Sequence, residues 1–419
     1  MKNSDKSNFN PESQMMTYGF NPALSQGSDR CPIFQTSTYC FPNAQAGENF
    51  FAVAYGLRKP EVDEDPGLIY LRLNHPALQI AEERLTLYEK GAEACAIFAS
   101  GMAAITTVCY EILRPGDLIL CSSPLYGGTD HYLNEMLPSR GINVLFFDKN
   151  HSMSDIINLV NDKGMAHNLA MILVETPANP TNDIFDIEML SKVADHFSKT
   201  RDEKVLLTVD NTYMGPIWQN PIVNGADIVL YSLTKYVGGH SDLTAGACLG
   251  SKEIIGRIKT CRTFLGNMSD PDTCALLLRS LETLSIRMEK HAYNADKIAA
   301  YLLKHPMVEK LYFLGNLSPK NLVKNKQCNT NGGMIAFDVK GGKEAAYKFV
   351  NSLKLARLAV SLGSTGSLVE IPYFMTHAGV NPETKKLLGI GEGMVRLSVG
   401  IENYKDLIQD IKQAFKIKI

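Results

Sequence analysis

The strongest constraint on the fold is a series of short, continuous apolar segments, most of them separated by stretches with helical periodicity. Such segments lack the alternation of a half-exposed strand and are typical of strands buried on both faces. The predicted strands are 94–99, 118–121, 144–147, 171–174, 205–209 and 228–231. The pattern predicts an α/β domain with a mostly parallel sheet, and such sheets bind ligands where their strands end.

The rest of the chain is organised differently on either side of this domain. Residues 1–75 are irregular and rich in Asn, Ser, Pro and aromatic residues, which predicts an arm that packs on another surface. The α/β domain is predicted over 76–284. Residues 285–419 combine strands and helices without strict alternation, which predicts a smaller α+β domain. A helical pattern at 273–303 is predicted to form one long helix.

Composition excludes several classes of protein. Among 419 residues, 42 Lys and Arg nearly balance 44 Asp and Glu, which argues against a nucleic-acid binder or a polybasic membrane binder. The polar residues 1–6 are followed by no apolar segment, so no secretory signal is predicted. The nine cysteines form no CxxC pair and the histidines no HxxxH pair, so no metal site is predicted. These features predict reduced thiols in a cytoplasmic protein.

Two strand ends carry residues that could bind a ligand. Ser100-Gly101-Met102 leads from a predicted strand into a predicted helix, and the exposed N–H groups of a helix N-terminus bind anions. An ordinary connection between strand and helix has the same pattern. Asp210 follows another apolar strand, so its carboxylate is expected at the ligand edge of the sheet. An Asx turn or a helix cap is the alternative there.

A third strand end carries a lysine. Lys235 ends the apolar segment that contains Ser232 and Thr234. Burial lowers the pKa of an amine and makes the amine a better nucleophile toward a carbonyl. In an extended segment the two hydroxyls point to the same side, so both could meet one phosphate.

Together the three strand ends match the needs of pyridoxal 5′-phosphate (PLP): an anion cradle, an acid for the ring nitrogen and a buried lysine. From residue 70 to the C-terminus the chain also resembles the Cys/Met-metabolism family of PLP-dependent enzymes. This family includes methionine γ-lyase, cystathionine γ-lyase, cystathionine γ-synthase and cystathionine β-lyase. The resemblance lies in the motifs Tyr70-Leu71-Arg72, Ser100-Gly101-Met102, Leu125-Tyr126-Gly127-Gly128-Thr129, Glu175-Thr176-Pro177-Ala178-Asn179-Pro180, Asp210-Asn211-Thr212, Ser232-Leu233-Thr234-Lys235-Tyr236, Ser361-Leu362-Gly363, Met375-Thr376-His377 and Val395-Arg396-Leu397-Ser398-Val399-Gly400.

The resemblance implies the PLP-dependent transferase fold type I, similar to aspartate aminotransferase, and roles for individual residues. Lys235 would bond the cofactor covalently and later move protons at Cα and Cβ. Asp210 would keep the ring nitrogen protonated. Tyr126 would stack on the ring and protonate the leaving sulfur, a plain core tyrosine being the alternative.

The remaining implied roles concern the phosphate and the substrate. Arg396 would bind the substrate carboxylate as a bidentate pair, the alternative being a surface charge. The other implied contacts are Gly101, Met102, Ser232 and Thr234 to the phosphate, Tyr70 and Arg72 to the phosphate of a neighbouring subunit, Asn179 to the ring hydroxyl, and Ser361 with Asn179 beside the substrate carboxylate.

Three positions bear on the substrate. Methionine γ-lyases typically have Cys at the position of Gly128 and Lys-Asp at the position of Arg262-Thr263. Both departures argue against a dedicated methionine γ-lyase. Cystathionine γ-lyases typically have Glu where this chain, like methionine γ-lyases, has Val360. An apolar residue there removes a carboxylate that could contact a distal amino group, which favours a monopolar substrate.

The predicted function is a PLP-dependent carbon–sulfur lyase that acts by α,γ-elimination on methionine or a related thioether. Its products would be a 2-oxo acid, ammonia and a thiol. The alternatives are elimination or γ-replacement of the transsulfuration type, an aminotransferase of the same fold, and a catalytically silent PLP-fold protein. The predicted partners are an amino acid substrate and further copies of the chain, as a dimer that completes each site and a tetramer of two such dimers, with no nucleic acid or membrane.

Overall fold

The computed structural model describes residues 9–61, 67–317 and 321–416, so the polar start of the chain lies outside the described residues. A seven-stranded sheet confirms the predicted α/β pattern. All six predicted strands are present, and a seventh was not predicted. The strands are β1 (Ala94–Phe98), β2 (Leu118–Ser122), β3 (Asn143–Phe147), β4 (Leu169–Glu175), β5 (Leu206–Asp210), β6 (Ile228–Ser232) and β7 (Gly246–Gly250).

The strand order is β1-β7-β6-β5-β4-β2-β3, and the run from β3 to β6 is parallel. The missed strand, β7, is antiparallel to both of its neighbours. Glycine at both of its ends hides the strand signal. Tertiary contact requires the first of them, because a Cβ at Gly246 would lie 2.1 Å from the carbonyl oxygen of Ser100.

Helices cover both faces of this sheet, as buried parallel strands require. Successive residues of β1 show the two faces, since Cys95 and Ile97 belong to one hydrophobic cluster and Ala96 and Phe98 to another. Helical periodicity predicts helices at 77–88, 102–113 and 186–197, and all three are present, as α3, α4 and α7. The helices are α3 (Pro76–Tyr88), α4 (Gly101–Ile112), α5 (Gly127–His131), α6 (Met153–Asp162), α7 (Ile187–Ser198), α8 (Gly215–Trp218), α9 (Lys252–Leu265) and α10 (Pro271–Leu281).

Two expectations for the flanking segments are wrong. The N-terminal segment is not irregular throughout, because it contains α1 (Pro11–Gln14) and α2 (Ala44–Ala54). The predicted long helix is two helices, α10 and α11 (Leu284–Leu302), and the break falls at residues 282–283. At the break, the carbonyl of Ser280 accepts from Arg287 Nη2 at 2.8 Å and from the backbone N–H of Thr283 at 3.3 Å.

A second, five-stranded sheet has the order β10-β11-β12-β9-β8. The sequence predicts strands at 334–339 and 394–399, and these are present as β9 and β12, which pair antiparallel. The other three strands were not predicted. The elements are β8 (Val308–Tyr312), α12 (Leu322–Gln327), β9 (Met334–Val339), α13 (Gly342–Ser352), β10 (Arg357–Leu358), β11 (Leu368–Glu370), α14 (Pro382–Leu387), β12 (Met394–Ser398) and α15 (Tyr404–Lys416). Over the described ranges, every helix is too short or too polar to cross a membrane.

Candidate active site

A cavity of about 390 Å³ lies where strands of the large sheet end and is closed by segments that lead to the second sheet. This volume is within the range of small-molecule sites. Ten of the twelve residues that the sequence singled out line it, and Tyr70 and Arg72 do not. The ten are Gly101, Met102, Tyr126, Asn179, Asp210, Ser232, Thr234, Lys235, Ser361 and Arg396.

One wall of the cavity is the turn into α4, as predicted. Ser100 caps this helix by accepting a hydrogen bond from the backbone N–H of Ala103 at 3.0 Å. A Cβ at Gly101 would lie 2.9 Å from Cβ of Ser232. The absence of a side chain thus lets the helix N-terminus approach the end of β6 and leaves the helix N–H groups facing the cavity.

The path from Ser232 to Lys235 is not extended, which corrects the geometric argument for the two hydroxyls. Strand β6 ends at Ser232, and Lys235 N donates to Ser232 O at 3.2 Å, so the segment is a turn. Thr234 Oγ1 donates to Ala245 O at 3.2 Å. Both hydroxyl residues still line one cavity, because the turn folds back over the end of the strand.

Lys235 lies at the centre of the cavity. Its Nζ donates a hydrogen bond to Ser361 Oγ at 2.7 Å. Burial, together with the nearby charge of Arg396, lowers the pKa of Lys235 to about 8, while Glu370 acts in the opposite direction. The amine can therefore lose its proton far more easily than an exposed lysine.

Two carboxylates stand side by side at the ends of β4 and β5, where Glu175 pairs in register with Asp210. Burial raises the pKa of Asp210. Burial and the charge of Asp210 raise the pKa of Glu175 as well, although the backbone N–H groups of Tyr126 and Asn179 oppose the shift. Asp210 Oδ1 also accepts from the backbone N–H of Thr212 at 3.0 Å, so the predicted ligand position and the alternative Asx turn are both present.

Glu175 is a site residue to which the sequence analysis assigned no role. Its Oε2 accepts from the backbone N–H of Tyr126 at 2.7 Å and its Oε1 from that of Asn179 at 2.8 Å. One carboxylate therefore holds two loops that line the cavity. The signal that identified Asp210, an acid at the end of an apolar strand, also applies to Glu175.

Tyr126 lies at the mouth of the cavity with 43% of its surface exposed, so the alternative of a plain core tyrosine is wrong. A Cβ at Gly128 would lie 2.6 Å from Cε1 of Tyr126. The ring thus occupies the space that a side chain at position 128 would need.

Arg396 is 3% exposed, which rules out the alternative of a surface charge. Its Nη1 donates to Asn179 Oδ1 at 2.9 Å and its Nη2 to Ser361 O at 2.8 Å. Its Nη1 also lies 2.8 Å from Oε1 of Glu370, a buried acid that the sequence analysis did not single out. Glu370 lies in β11, a strand that the sequence did not predict. Its contact with Arg396 follows from the pairing of β11 with β12 and has no local sequence signal.

Tyr70 and Arg72 lie outside the cavity of their own chain. The guanidinium carbon of Arg72 lies 5.6 Å from the ring centre of Tyr70, and Nη1 of Arg72 donates to Thr263 O at 2.7 Å. Tyr70 is 41% exposed. Neither residue contributes to this site within one chain.

The groups that line the cavity fit PLP. They supply a reactive lysine, a carboxylate for the ring nitrogen, an aromatic ring, and a helix N-terminus beside hydroxyls for the phosphate. A parallel sheet with these groups at its carboxyl edge defines a PLP-dependent enzyme. The model of the family described as Cys/Met metabolism PLP-dependent enzyme matches residues 12–416. The chain belongs to this family.

Its relatives agree with this assignment. The chain is 41% identical to an L-methionine gamma-lyase of Treponema denticola over 93% of this chain and 92% of that protein. It is 36% identical to the human cystathionine gamma-lyase over 84% of each. Among solved structures, a cystathionine gamma synthase from Xanthomonas oryzae pv. oryzae, in complex with aminoacrylate and cysteine, superposes with a TM-score of 0.85 at 30% identity, covering 98% of each chain.

The position aligned with the Lys-Asp pair of methionine γ-lyases has a structural role here. Arg262 is 2% exposed, and its Nη1 lies 2.6 Å from Oε1 of Glu82 and donates to Ile97 O at 2.6 Å. Its side chain therefore points into the protein, away from the cavity that Lys235 occupies.

Proposed function

We propose that this enzyme cleaves methionine or a related thioether by α,γ-elimination to a 2-oxo acid, ammonia and a thiol. The observation that carries the proposal is that Lys235 and Arg396 meet at one residue. Lys235 Nζ donates to the hydroxyl of Ser361, and Arg396 Nη2 donates to its carbonyl. An α-amino acid held by its carboxylate at Arg396 would present Cα to the lysine amine.

PLP, when bound, supplies the electron sink that stabilises negative charge at Cα. Lys235 would take the proton from Cα and serve as the base at Cβ. Its pKa, lowered to about 8, suits both roles because a general base works best when its pKa is near the operating pH. Tyr126, at the cavity mouth, would protonate the leaving sulfur at Cγ. Asn179, Arg396 and Ser361 would keep the substrate carboxylate in place.

The lining of the cavity supports a substrate with one polar end. Val360 lines the cavity beside Ser361 and offers no charge to a distal amino group. Val360→Glu is therefore expected to raise kcat/KM for cystathionine relative to methionine by about tenfold, the discrimination that one ion pair supplies. Val360→Gln, which adds a similar volume without a charge, is the matched control.

The proposal is tested with the PLP-loaded enzyme and methionine, homocysteine and cystathionine. Each is assayed for ammonia, for 2-oxo acid and for the sulfur compound released, which is methanethiol, hydrogen sulfide or cysteine respectively. Stoichiometric release of all three products supports elimination. Release of neither thiol nor 2-oxo acid from any of the three substrates contradicts it, and amino transfer to an added 2-oxo acid without thiol identifies an aminotransferase.

A second candidate is γ-replacement on an activated homoserine. It is supported by the likeness to cystathionine gamma synthase structures. It is also supported by Arg262, which is buried against Glu82 at the position where methionine γ-lyases typically have the Lys of a Lys-Asp pair. Assays with activated homoserine, with and without added cysteine, separate the two reactions. Replacement yields cystathionine, whereas elimination yields a 2-oxo acid whether or not cysteine is present.

We further propose that the enzyme is a homo-oligomer in which Tyr70 and Arg72 complete the site of a neighbouring subunit. Helix α2 has no buried residue within its own chain, and Phe50 and Phe51 form an aromatic cluster with Phe41. Such a surface suits burial against another copy. Light scattering is expected to give a dimer or a tetramer, and a monomer with full PLP affinity would contradict the proposal.

A cytoplasmic location is the final part of the proposal. All nine cysteines are free thiols, and seven of them are buried. Reducing compartments keep thiols in this state. Cell fractionation is the test, and recovery of the protein from an oxidising compartment would contradict it.

A further inference from the structure

The residue that faces the guanidinium of Arg396 is a buried acid. Glu370 in β11 pairs in register with Arg396 in β12, and its Oε1 lies 2.8 Å from Arg396 Nη1. Glu370 has no exposed surface and Arg396 has 3%. The cation assigned to the substrate carboxylate is therefore already neutralised by an acid of the protein itself.

Both partners of this ion pair keep an unused polar atom. Arg396 Nε and Glu370 Oε2 are buried without a hydrogen-bond partner among the described residues. The other oxygen of Glu370, Oε1, accepts from Thr376 Oγ1 at 2.9 Å. Nε of Arg396 can thus still donate a hydrogen bond to a ligand, and Oε2 of Glu370 accepts no hydrogen bond from the described residues.

A substrate carboxylate at Arg396 would place two anions on one buried guanidinium. One cation cannot offset two buried negative charges, and two carboxylates that share a site hold one proton between them. An α-carboxyl group is a stronger acid than a glutamate side chain, and burial raises the pKa of Glu370 further. The acid that can take the proton is Glu370.

We propose that Glu370 is the resident counter-ion of Arg396, and that a substrate carboxylate binds Arg396 with uptake of one proton by Glu370. This inference rests on the proposed function only in placing the carboxylate at Arg396. It makes Glu370 a positioning residue that couples substrate binding to pH.

The surroundings of Glu370 favour the uptake. Burial raises the pKa of Glu370 already without substrate, although Arg396, the Thr376 hydroxyl and Lys235 oppose the shift. Burial also raises the pKa of Tyr213, which keeps that phenol neutral. Burial and Arg396 lower the pKa of His377 to about 4, so His377 is neutral as well. Once a ligand offsets the charge of Arg396, Lys235 is the nearest cation that still opposes protonation of Glu370.

The test uses the PLP-loaded enzyme and 4-(methylthio)butanoate, which has the carboxylate of methionine but no amino group to react with the cofactor. Titration calorimetry in buffers of different ionisation enthalpy measures the protons taken up. Between the pKa of Glu370 in the free enzyme and its higher pKa in the complex, we expect uptake approaching one proton and an apparent Kd that rises about tenfold per pH unit. The amide of the same ligand, which has no charge, is expected to bind without uptake.

Two variants and a control assign the proton. Glu370→Gln is expected to abolish the uptake and to flatten the pH dependence of Kd. Thr376→Val removes a hydrogen-bond donor that favours ionised Glu370, so it is expected to raise the pKa of Glu370 in the free enzyme. More of the free enzyme is then already protonated at a given pH, and ligand binding takes up less of a proton. Asp338→Asn makes the same change from acid to amide in β9, which pairs with β12 on the side opposite β11. Asp338 contacts Tyr312 instead, so this variant is expected to leave the uptake unchanged.

The proposal is overturned if the wild-type enzyme binds without proton uptake, if the carboxylate ligand does not bind, or if the Gln variant takes up the same proton. Should that variant fail to fold, the Val variant and the wild-type titration decide. Proton uptake without methionine turnover would reject the proposed function alone, whereas turnover without uptake would reject this inference alone.

Discussion

The amine of Lys235 donates a hydrogen bond to the hydroxyl of Ser361 at 2.7 Å, and this contact joins the two sheets at the active site. Lys235 belongs to the turn after β6, whereas Ser361 lies between β10 and β11. Ser361 has a backbone φ of +87°, a strained value for a residue with a side chain. The strained backbone of Ser361 occurs at the residue whose hydroxyl accepts the hydrogen bond from Lys235.

Capture of PLP by the apoenzyme is expected to depend on the titration of Lys235. Only the unprotonated amine attacks the cofactor aldehyde, so the rate of capture should rise with pH and level off above a midpoint near pH 8. The growth of the visible absorbance of bound PLP measures this rate. A midpoint near the ordinary lysine value of 10.5 would contradict the burial effect, and Lys235→Arg, which cannot bond the aldehyde, is the control.

Glu175→Gln is expected to lower kcat/KM by about five- to 150-fold. The amide can accept only one of the two backbone hydrogen bonds that the carboxylate accepts, and its NH₂ group faces a donor. A buried donor left without a partner costs about 1–3 kcal/mol, and every 1.4 kcal/mol corresponds to a factor of ten in rate. Steady-state kinetics measure the loss. Glu188→Gln on the surface of α7 should leave the rate unchanged, and a similar loss in both variants would refute the assignment.

Gly128→Ala is expected to reduce turnover through Tyr126. The new methyl group would lie 2.6 Å from the tyrosine ring, so the ring must leave its position at the cavity mouth. Loss of a general acid costs about a hundredfold or more, so we expect kcat to fall within that range. Gly366→Ala, at a glycine with open space around it, is the matched control. Unchanged kcat in Gly128→Ala would show that the position of Tyr126 does not limit the reaction.

Glu82→Gln is expected to destabilise the fold by about 3–5 kcal/mol, because it leaves Arg262 buried without its counter-charge. Burial opposes ionisation of Glu82, but Lys259 and Arg262 outweigh burial and lower its pKa. The stabilisation is therefore present above the ordinary glutamate pKa and is lost as the pH falls through the lowered value. Urea unfolding measures it. Glu111→Gln, which breaks the exposed pair with Arg257, should cost under about 1 kcal/mol.

Much of the large sheet could be predicted because its information is local. Each buried strand is a continuous apolar run, and each run is visible without knowledge of its partners. Gly101, Asp210 and Lys235 each lie within four residues of the end of such a run, so the positions of the strand ends indicated that they share one edge of the sheet. The parallel arrangement then placed them in one cavity, as expected of this class of sheet.

Other features depend on contacts between distant segments, and no local pattern reports them. Strand β7 contains glycines that look like a turn until the carbonyl of Ser100 is seen beside Gly246. At the break before α11, the carbonyl of Ser280 accepts from the guanidinium of Arg287, seven residues further along the chain. In β7 a tertiary contact outweighs the local propensity.

The sequence by itself determined the α/β pattern of the large sheet and the groups at its strand ends, since hydrophobic periodicity and residue chemistry are local properties. Only the tertiary structure decided that Glu175 holds two loops and that Glu370 faces Arg396. Those contacts follow from strand register, because the partner of a residue in a sheet is set by how distant strands align. The charged and hydrogen-bonding partners of these two acids are therefore set by the tertiary structure and cannot be read from any one sequence motif.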